Sequence, residues 1–261
     1  MRIQVLVAAV EENVVMLSEH MNLSTDAIIC NQCREYSYQE YEHRGRRIRA
    51  FSFAEKGVGL NRNNALMRAD ADLCVFADED IVYDDDYEEK ILREFARDPK
   101  ADILMFNVQA TEHRRTYENV RHKRVRWYNY GRYPTYSMCA RVESLRRANV
   151  SFSLLFGGGA RYSNGEDTLF IHDCLRRGLR ICAVPVEIGH EKKRTEGEES
   201  TWFKGYNEKF FYDRGVLYHY LYGCMARPFA LLFLLRKRRV MCRELSLPAC
   251  YRLMKKGIRE Q

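Results

Sequence analysis

Two short acidic stretches of this chain have residue types and spacings that could do chemistry. The first is "FADEDIVYDDD", Phe76 to Asp86, where an apolar run ends in alternating acids and then meets a second cluster. In an extended strand side chains alternate faces, so Asp78 and Asp80 point one way and Glu79 the other. Two carboxylates on one side can share a divalent cation. A hard ion such as Mg²⁺ or Mn²⁺ takes few protein oxygens and completes its shell with phosphate oxygens. Asp84 to Asp86 directly precede "YEEKILREFARD" and are read as structural, capping a helix and complementing its dipole. The second stretch is "GGGARYSNGEDTLF", in which glycines permit close backbone approach to a ligand and Gly165 precedes two carboxylates at the start of an amphipathic pattern. Asp167 is there either to cap a helix or to serve as a general base facing the metal site, taking a proton from a hydroxyl.

These acids need a frame. "IQVLVAAV" and "DAIICNQ" are short, nearly continuous apolar runs, the pattern of strands buried on both faces, and "VVMLSEHM" between them has helical spacing. The alternation continues through "RRIRAFSF", a helix-like "GLNRNNALMRA", the strand "DLCVFAD", a helix from Tyr87 to about Arg97 and the strand "DILMFNV". Strands separated by helices predict an α/β fold with a mostly parallel sheet between helices, whose ligands bind at the carboxyl ends of the strands. That is where "DED", Asp78 to Asp80, sits. After Ala110 the rhythm breaks into a basic and aromatic excursion, "TEHRRTYENVRHKRVRWYNYGRYPTY". Interleaved Arg and Tyr can bind single-stranded nucleic acid, but no recognition motif accompanies them, so nucleic acid is not expected as a partner.

With 261 residues the chain can bury a sizeable core. Its 43 basic and 36 acidic side chains leave a net charge of +7, crowded into a few segments, which suggests an anionic partner such as phosphate or a membrane surface. The nine cysteines are scattered and the N-terminal apolar run is short, so a reduced, cytoplasmic chain is expected. On that expectation the acceptor triplets at Asn22 and Asn149 carry no glycan, and Cys30 and Cys33 in "CNQC" pack rather than bind metal.

Behind the N-terminal strand, "KGVGLNRNNALMRADADLCVFADED", "FGGGARYSNGEDTLF" and "GHEKKRTEGEEST" follow in order. Together they resemble the family 2 glycosyltransferases, inverting sugar-nucleotide enzymes of GT-A fold, over most of residues 1–205. The resemblance implies a catalytic domain over 1–205; residues 206–261 read as a C-terminal helical segment, membrane-associating on one of two readings of the tail. It implies that Asp78 and Asp80 hold Mn²⁺ or Mg²⁺ against the donor diphosphate, that Asp167 is the base with Glu166 beside it, and that Arg62 and Asn63 contact the nucleotide with Lys56 close by. His190 lies where some members place a further metal ligand or a phosphate contact. Many members carry an acidic run after the second strand; this chain has "NQCRE", whose Asn31 and Gln32 can hydrogen-bond a uracil or ribose. The implied reaction moves a sugar, from a UDP-sugar, to a hydroxyl of a glycan or lipid-linked saccharide by direct displacement in polysaccharide biosynthesis.

Two other classes meet the residues less well. A nucleotidyltransferase on sugar phosphates would carry a glycine-rich phosphate loop where this chain has "AAVEEN", and a non-enzymatic nucleic-acid or membrane binder would leave the acids without a task. In the tail, "VLYHYLYGCMARPFALLFLLRKRRV" is apolar but interrupted, too short to span a bilayer of roughly 20 residues. It reads either as an interfacial anchor with cations on anionic lipid or as a helix packed on the catalytic domain. On the anchor reading, truncation after Asp213 should leave the donor site folded.

Overall fold

In the first strand the side chains sort themselves between two cores. Ile3, Val5, Val7 and Ala9 are buried on one face and Leu6 on the other. Period-two alternation of this kind needs apolar residues at nearly every position, which is why the run looks continuous in sequence. The computed structural model describes residues 1–110, 117–192, 205–241 and 244–260.

In chain order the elements are β1 (Ile3–Val10), α1 (Val14–His20), β2 (Asp26–Gln32), β3 (Ser37–His43), β4 (Arg46–Phe53), α2 (Val58–Arg68), β5 (Leu73–Asp78), β6 (Ile81–Tyr83) and α3 (Tyr87–Arg97). There follow β7 (Ile103–Gln109), β8 (Lys123–Arg124), β9 (Met138–Arg141), α4 (Val142–Ala148), α5 (Glu166–Arg176), β10 (Ile181–Glu191), α6 (Glu208–Tyr222), α7 (Ala226–Met241) and α8 (Leu247–Arg259). One sheet holds every strand in the order β3-β4-β2-β1-β5-β9-β7-β10-β6, with β8 paired to β10. β4, β2, β1 and β5 are parallel neighbours, and β7 and β10 are parallel to each other. β9 is antiparallel to both β5 and β7, so those two run in the common direction; β3, β6 and β8 run against their partners. The carboxyl ends of β1, β2, β4, β5, β7 and β10 therefore share one edge of the sheet, and ligands of such sheets bind there.

Helices cover both faces. α1 and α3 close one core through Val14, Leu17, Tyr87, Ile91 and Phe95. α2, α4 and α5 close the other through Ala65, Leu145, Phe170 and Ile171. α6 belongs to this second core as well: Val216 and Leu217 are fully buried in it, while Phe210 and Phe211 of the same helix join a third cluster with α7 and α8. Close backbone contact seals α6 to α8, since a methyl group on Gly215 or Gly257 would overlap the carbonyl oxygen of Met254 or Tyr212. The tail thus packs on this second core through α6, and α6 is a shared wall between the two. Truncation after Asp213 would strip Val216 and Leu217 from the core beneath the site, contrary to the expectation that the donor site would remain folded.

Candidate active site

Arg62, on α2, is buried among acids. Its Nη2 donates to Asp78 Oδ1 at 2.8 Å, and its Nη1 donates to Asp167 Oδ1 at 3.0 Å and to Glu166 Oε1 at 3.3 Å. Asp78 ends β5, and Glu166 and Asp167 open α5, so one guanidinium ties the strand end to a helix start more than a hundred residues beyond Arg62 itself. Beneath it lies an aromatic floor. The Phe152 ring is 5.5 Å from the guanidinium carbon, stacks on Phe170 at 4.0 Å and meets Phe76 edge-on at 5.3 Å. Apolar rings on one side and carboxylates on the other place the cation in a site of low dielectric, where its ion pairs are stronger than in water.

The local backbone explains how the acids come to be there. Gly157 and Gly165 adopt φ of 105° and 123°, conformations that side chains rarely tolerate. A methyl group on Gly157 would meet the Glu166 carboxyl, and one on Gly165 would meet Leu217 of α6. The loop between them is pinned by Val58 N–H donating to the Gly158 carbonyl at 2.9 Å, and by Ser163, whose N–H and hydroxyl both donate to the buried Asp213 of α6 at 2.9 and 2.7 Å. Lys209 completes the Asp213 carboxylate at 2.6 Å. Thr135, in the short turn before β9, donates its hydroxyl to Asp167 Oδ1. Among the described residues, both bonds that Asp167 receives therefore fall on one oxygen.

Burial and neighbouring charge set the electrostatics. For Arg62 desolvation works against the charge, but Asp78, Asp167 and Glu166 outweigh it, and its pKa is raised. Burial, then the Asp167 charge, push Glu166 up to about 7, with Arg62 opposing. Glu166 also accepts the Gly165 N–H at 3.1 Å. The pair on α5 is thus asymmetric: Glu166 is the more enclosed member, with 13% of its side chain exposed against 29% for Asp167.

Of the residues singled out in the sequence, Arg62, Asp78, Glu166 and Asp167 come together directly. Asp80 does not extend the strand. β5 ends at Asp78 and Glu79 and Asp80 form the turn into β6, so strand alternation does not fix the direction of Asp80. The β10 end reaches this turn, with Lys192 N–H donating to the Asp80 carbonyl at 2.7 Å, and His190 lies exposed two residues earlier. Lys56 is exposed beside Gly57, on the loop that packs against Gly159. Asn31, Gln32 and Asn63 serve the backbone. Asn31 bonds the Glu12 N–H and carbonyl at 3.2 and 2.8 Å, Asn63 bonds the Phe152 N–H and carbonyl at 2.8 and 2.9 Å, and Gln32 donates to the Gly57 carbonyl at 3.0 Å. Asp84 and Asp86 pair with Lys90, and Asp85 accepts from Asn22, so this cluster is structural through ion pairs, with no side-chain cap on α3. Cys30 is buried and its thiol pushed up to about 12 by burial, consistent with packing. Thr135, Phe152 and Asp213 are site residues that no sequence motif marked. A lone threonine in a basic loop, a phenylalanine among others and an acid on an aromatic helix carry no spacing signal.

The family model described as "Glycosyl transferase family 2" matches residues 34–153. That span holds Arg62, Asp78, Asp80, Thr135 and Phe152 and stops short of the α5 acids. Among solved structures, TarS 1–349 from S. aureus in complex with UDP-GlcNAc superposes with a TM-score of 0.62 at 15% identity, over 94% of this chain and 74% of that one. The chain is a glycosyltransferase of GT-A fold. The same TarS fragment with UDP gives a TM-score of 0.59 at 13% identity over the same shares of the two chains. A longer TarS structure gives 0.61 at 14%, over 95% of this GT-A chain and 46% of that one. No curated protein matches the chain significantly in sequence.

Proposed function

We propose that the enzyme transfers a sugar from a UDP-sugar to a hydroxyl of a glycan or lipid-linked saccharide, with inversion at the transferred carbon. The observation that carries this reading is the Arg62 bridge. It sets a carboxylate at the strand end, on the side of the donor phosphates, within reach of a carboxylate pair that can serve the acceptor. UDP and UDP-GlcNAc in the TarS complexes support the choice of donor.

Asp78 and Asp80 fit a divalent cation in kind, since both offer hard oxygens at one turn and Mg²⁺ or Mn²⁺ needs only one or two carboxylates beside phosphate oxygens. Among the described residues no group of three or more His, Cys, Asp or Glu side chains gathers to hold a metal, so donor oxygens would have to complete the shell, with His190 as a further candidate ligand from β10. Bound there, the ion would offset charge on the departing diphosphate. Arg62 holds Asp78 and Asp167 in fixed relation. Thr135 and Arg62 both bond one oxygen of Asp167, which leaves its other oxygen to take the proton of the acceptor hydroxyl. Glu166, the more enclosed of the two, its pKa pushed up by burial, lines the pocket beside it. One base and one displacement from the opposite face give inversion. The same reading sets the enzyme in the cytoplasm, in peripheral contact with an anionic membrane.

A panel of sugar nucleotides scored by melting temperature, with and without Mn²⁺, should reveal the donor, because a true ligand stabilises the fold by mass action. In the presence of that donor, Asp167→Asn should keep donor affinity and lower single-turnover transfer by roughly two to four powers of ten. Near-normal transfer by the variant would return Asp167 to the helix start as a structural group, and a panel without any shift would remove the donor assignment.

A further inference from the structure

α7 turns two different faces outward and inward. Ala226, Ala230 and Leu234, spaced by four, form the stripe buried against the third core. The far side carries Leu231, Leu232 and Leu235, which remain 40%, 46% and 48% exposed. Met225, just before the helix, and Val240, near its end, are about half exposed as well. Around these apolar groups stand Arg227, Arg236, Lys237, Arg238 and Arg239, all exposed, and the helix contains no acid. No helix among the described residues is long and apolar enough to cross a membrane.

We propose that this outer face of α7 docks onto the surface of an anionic lipid bilayer, lying in the interface with Leu231, Leu232 and Leu235 at the acyl boundary and the arginines on lipid phosphates. The inference rests on the peripheral-membrane part of the functional reading and names the helix and face that make the contact; it uses none of the catalytic residues. The combination of ligands decides the partner. Leucines at the centre of the face call for a hydrocarbon layer, which nucleic acid does not offer, and the flanking cations call for fixed negative charge. A second copy of the chain docked symmetrically through this face would set the five cations against themselves.

The test is co-sedimentation of the full chain with vesicles of phosphatidylcholine, alone or mixed with phosphatidylglycerol. Binding is expected to the mixed vesicles and to weaken with added salt, because the cationic part is screened. Leu232→Glu with Leu235→Glu, and separately Arg236→Glu with Arg239→Glu, should each weaken binding by about tenfold or more. Both pairs are exposed, and donor-induced thermal stabilisation, which reports the separate catalytic reading, should be unchanged in both. Equal binding by parent and both variants would overturn the proposal, as would a parent chain that ignores mixed vesicles. So would a parent that is dimeric by light scattering and turns monomeric on the leucine substitutions without any vesicle binding, since that would assign the face to a second copy.

Discussion

Arg62 shows how little of a site a motif contains. Asp78, Glu166 and Asp167 were legible because acids at a strand end and at a glycine-led helix start have few other uses, but the spacing that marks them says nothing of what links them. Asn31 and Asn63 show the reverse: amides beside a ligand site invite a ligand role, yet both ends of each are engaged with main chain. Glu79, between the two aspartates, has a separate consequence. Burial raises its pKa from 4.5 to about 7, with Glu12 and the flanking acids adding to the shift and the Val10 N–H, 2.6 Å away, opposing it. A carboxyl raised in the fold binds more protons in the native state than in the unfolded chain between about 4.5 and about 7, so its contribution to stability falls as pH rises through that window. Glu79→Gln should therefore stabilise the protein at pH 8 by about 1 kcal/mol, after screening by solvent, and give no gain near pH 4.5. Melting curves of parent and variant at the two pH values check this, and an equal difference at both would rule out titration of Glu79 as the cause. Glu166 contributes with the same sign.

Elements were legible where burial is complete. β1, β2, β5 and β7 were readable as apolar runs, and β4, with only Ile48 and Ala50 buried, was readable with α2 and α3 from the alternation around it. β3 escaped because "SYQEYEH" is an edge strand with mostly exposed side chains, for which polarity is a protection against further pairing. β9 escaped because its four residues are too few to show a period. Its place between β5 and β7 is set by tertiary pairing, and it brings the Thr135 turn to Asp167. In the sequence Gly157 to Gly159 read as room for a ligand and Gly165 as the lead into two carboxylates; Gly165 also makes room for Leu217 of α6. Gly165→Ala should destabilise by about 1–3 kcal/mol and disturb transfer, since it adds backbone strain and a methyl group against Leu217. Gly178 is a useful control, with φ of 84° and nothing within 4 Å of an added methyl group. Denaturation of the two alanine variants should show the larger loss at Gly165, whereas equal losses would mean that contact with α6 is immaterial.

At the scale of the molecule, the tail was readable as apolar and basic, but its composition could not separate an anchor from a packed helix. The structure divides the roles: α6 packs against the catalytic core and α7 presents the exposed leucines and cations. A chain ending at Asp213 should accordingly lose donor-induced stabilisation and sediment as aggregate, because Val216 and Leu217 leave a hole in the core and the truncated α6 no longer covers the glycine loop. A soluble truncated chain that still binds donor would show that α6 is dispensable. The Asp213 bond to Ser163 also has a temporal side. Synthesis proceeds from β1 onward, and the three acids that Arg62 binds have been made by residue 167, yet the helix whose Asp213 holds the glycine loop in place is made some fifty residues later. While the chain is still emerging from the ribosome, it carries Arg62 and the acids around it before the loop between them is held in place. The catalytic centre and the basic, leucine-bearing helix that follows α6 are therefore completed almost together.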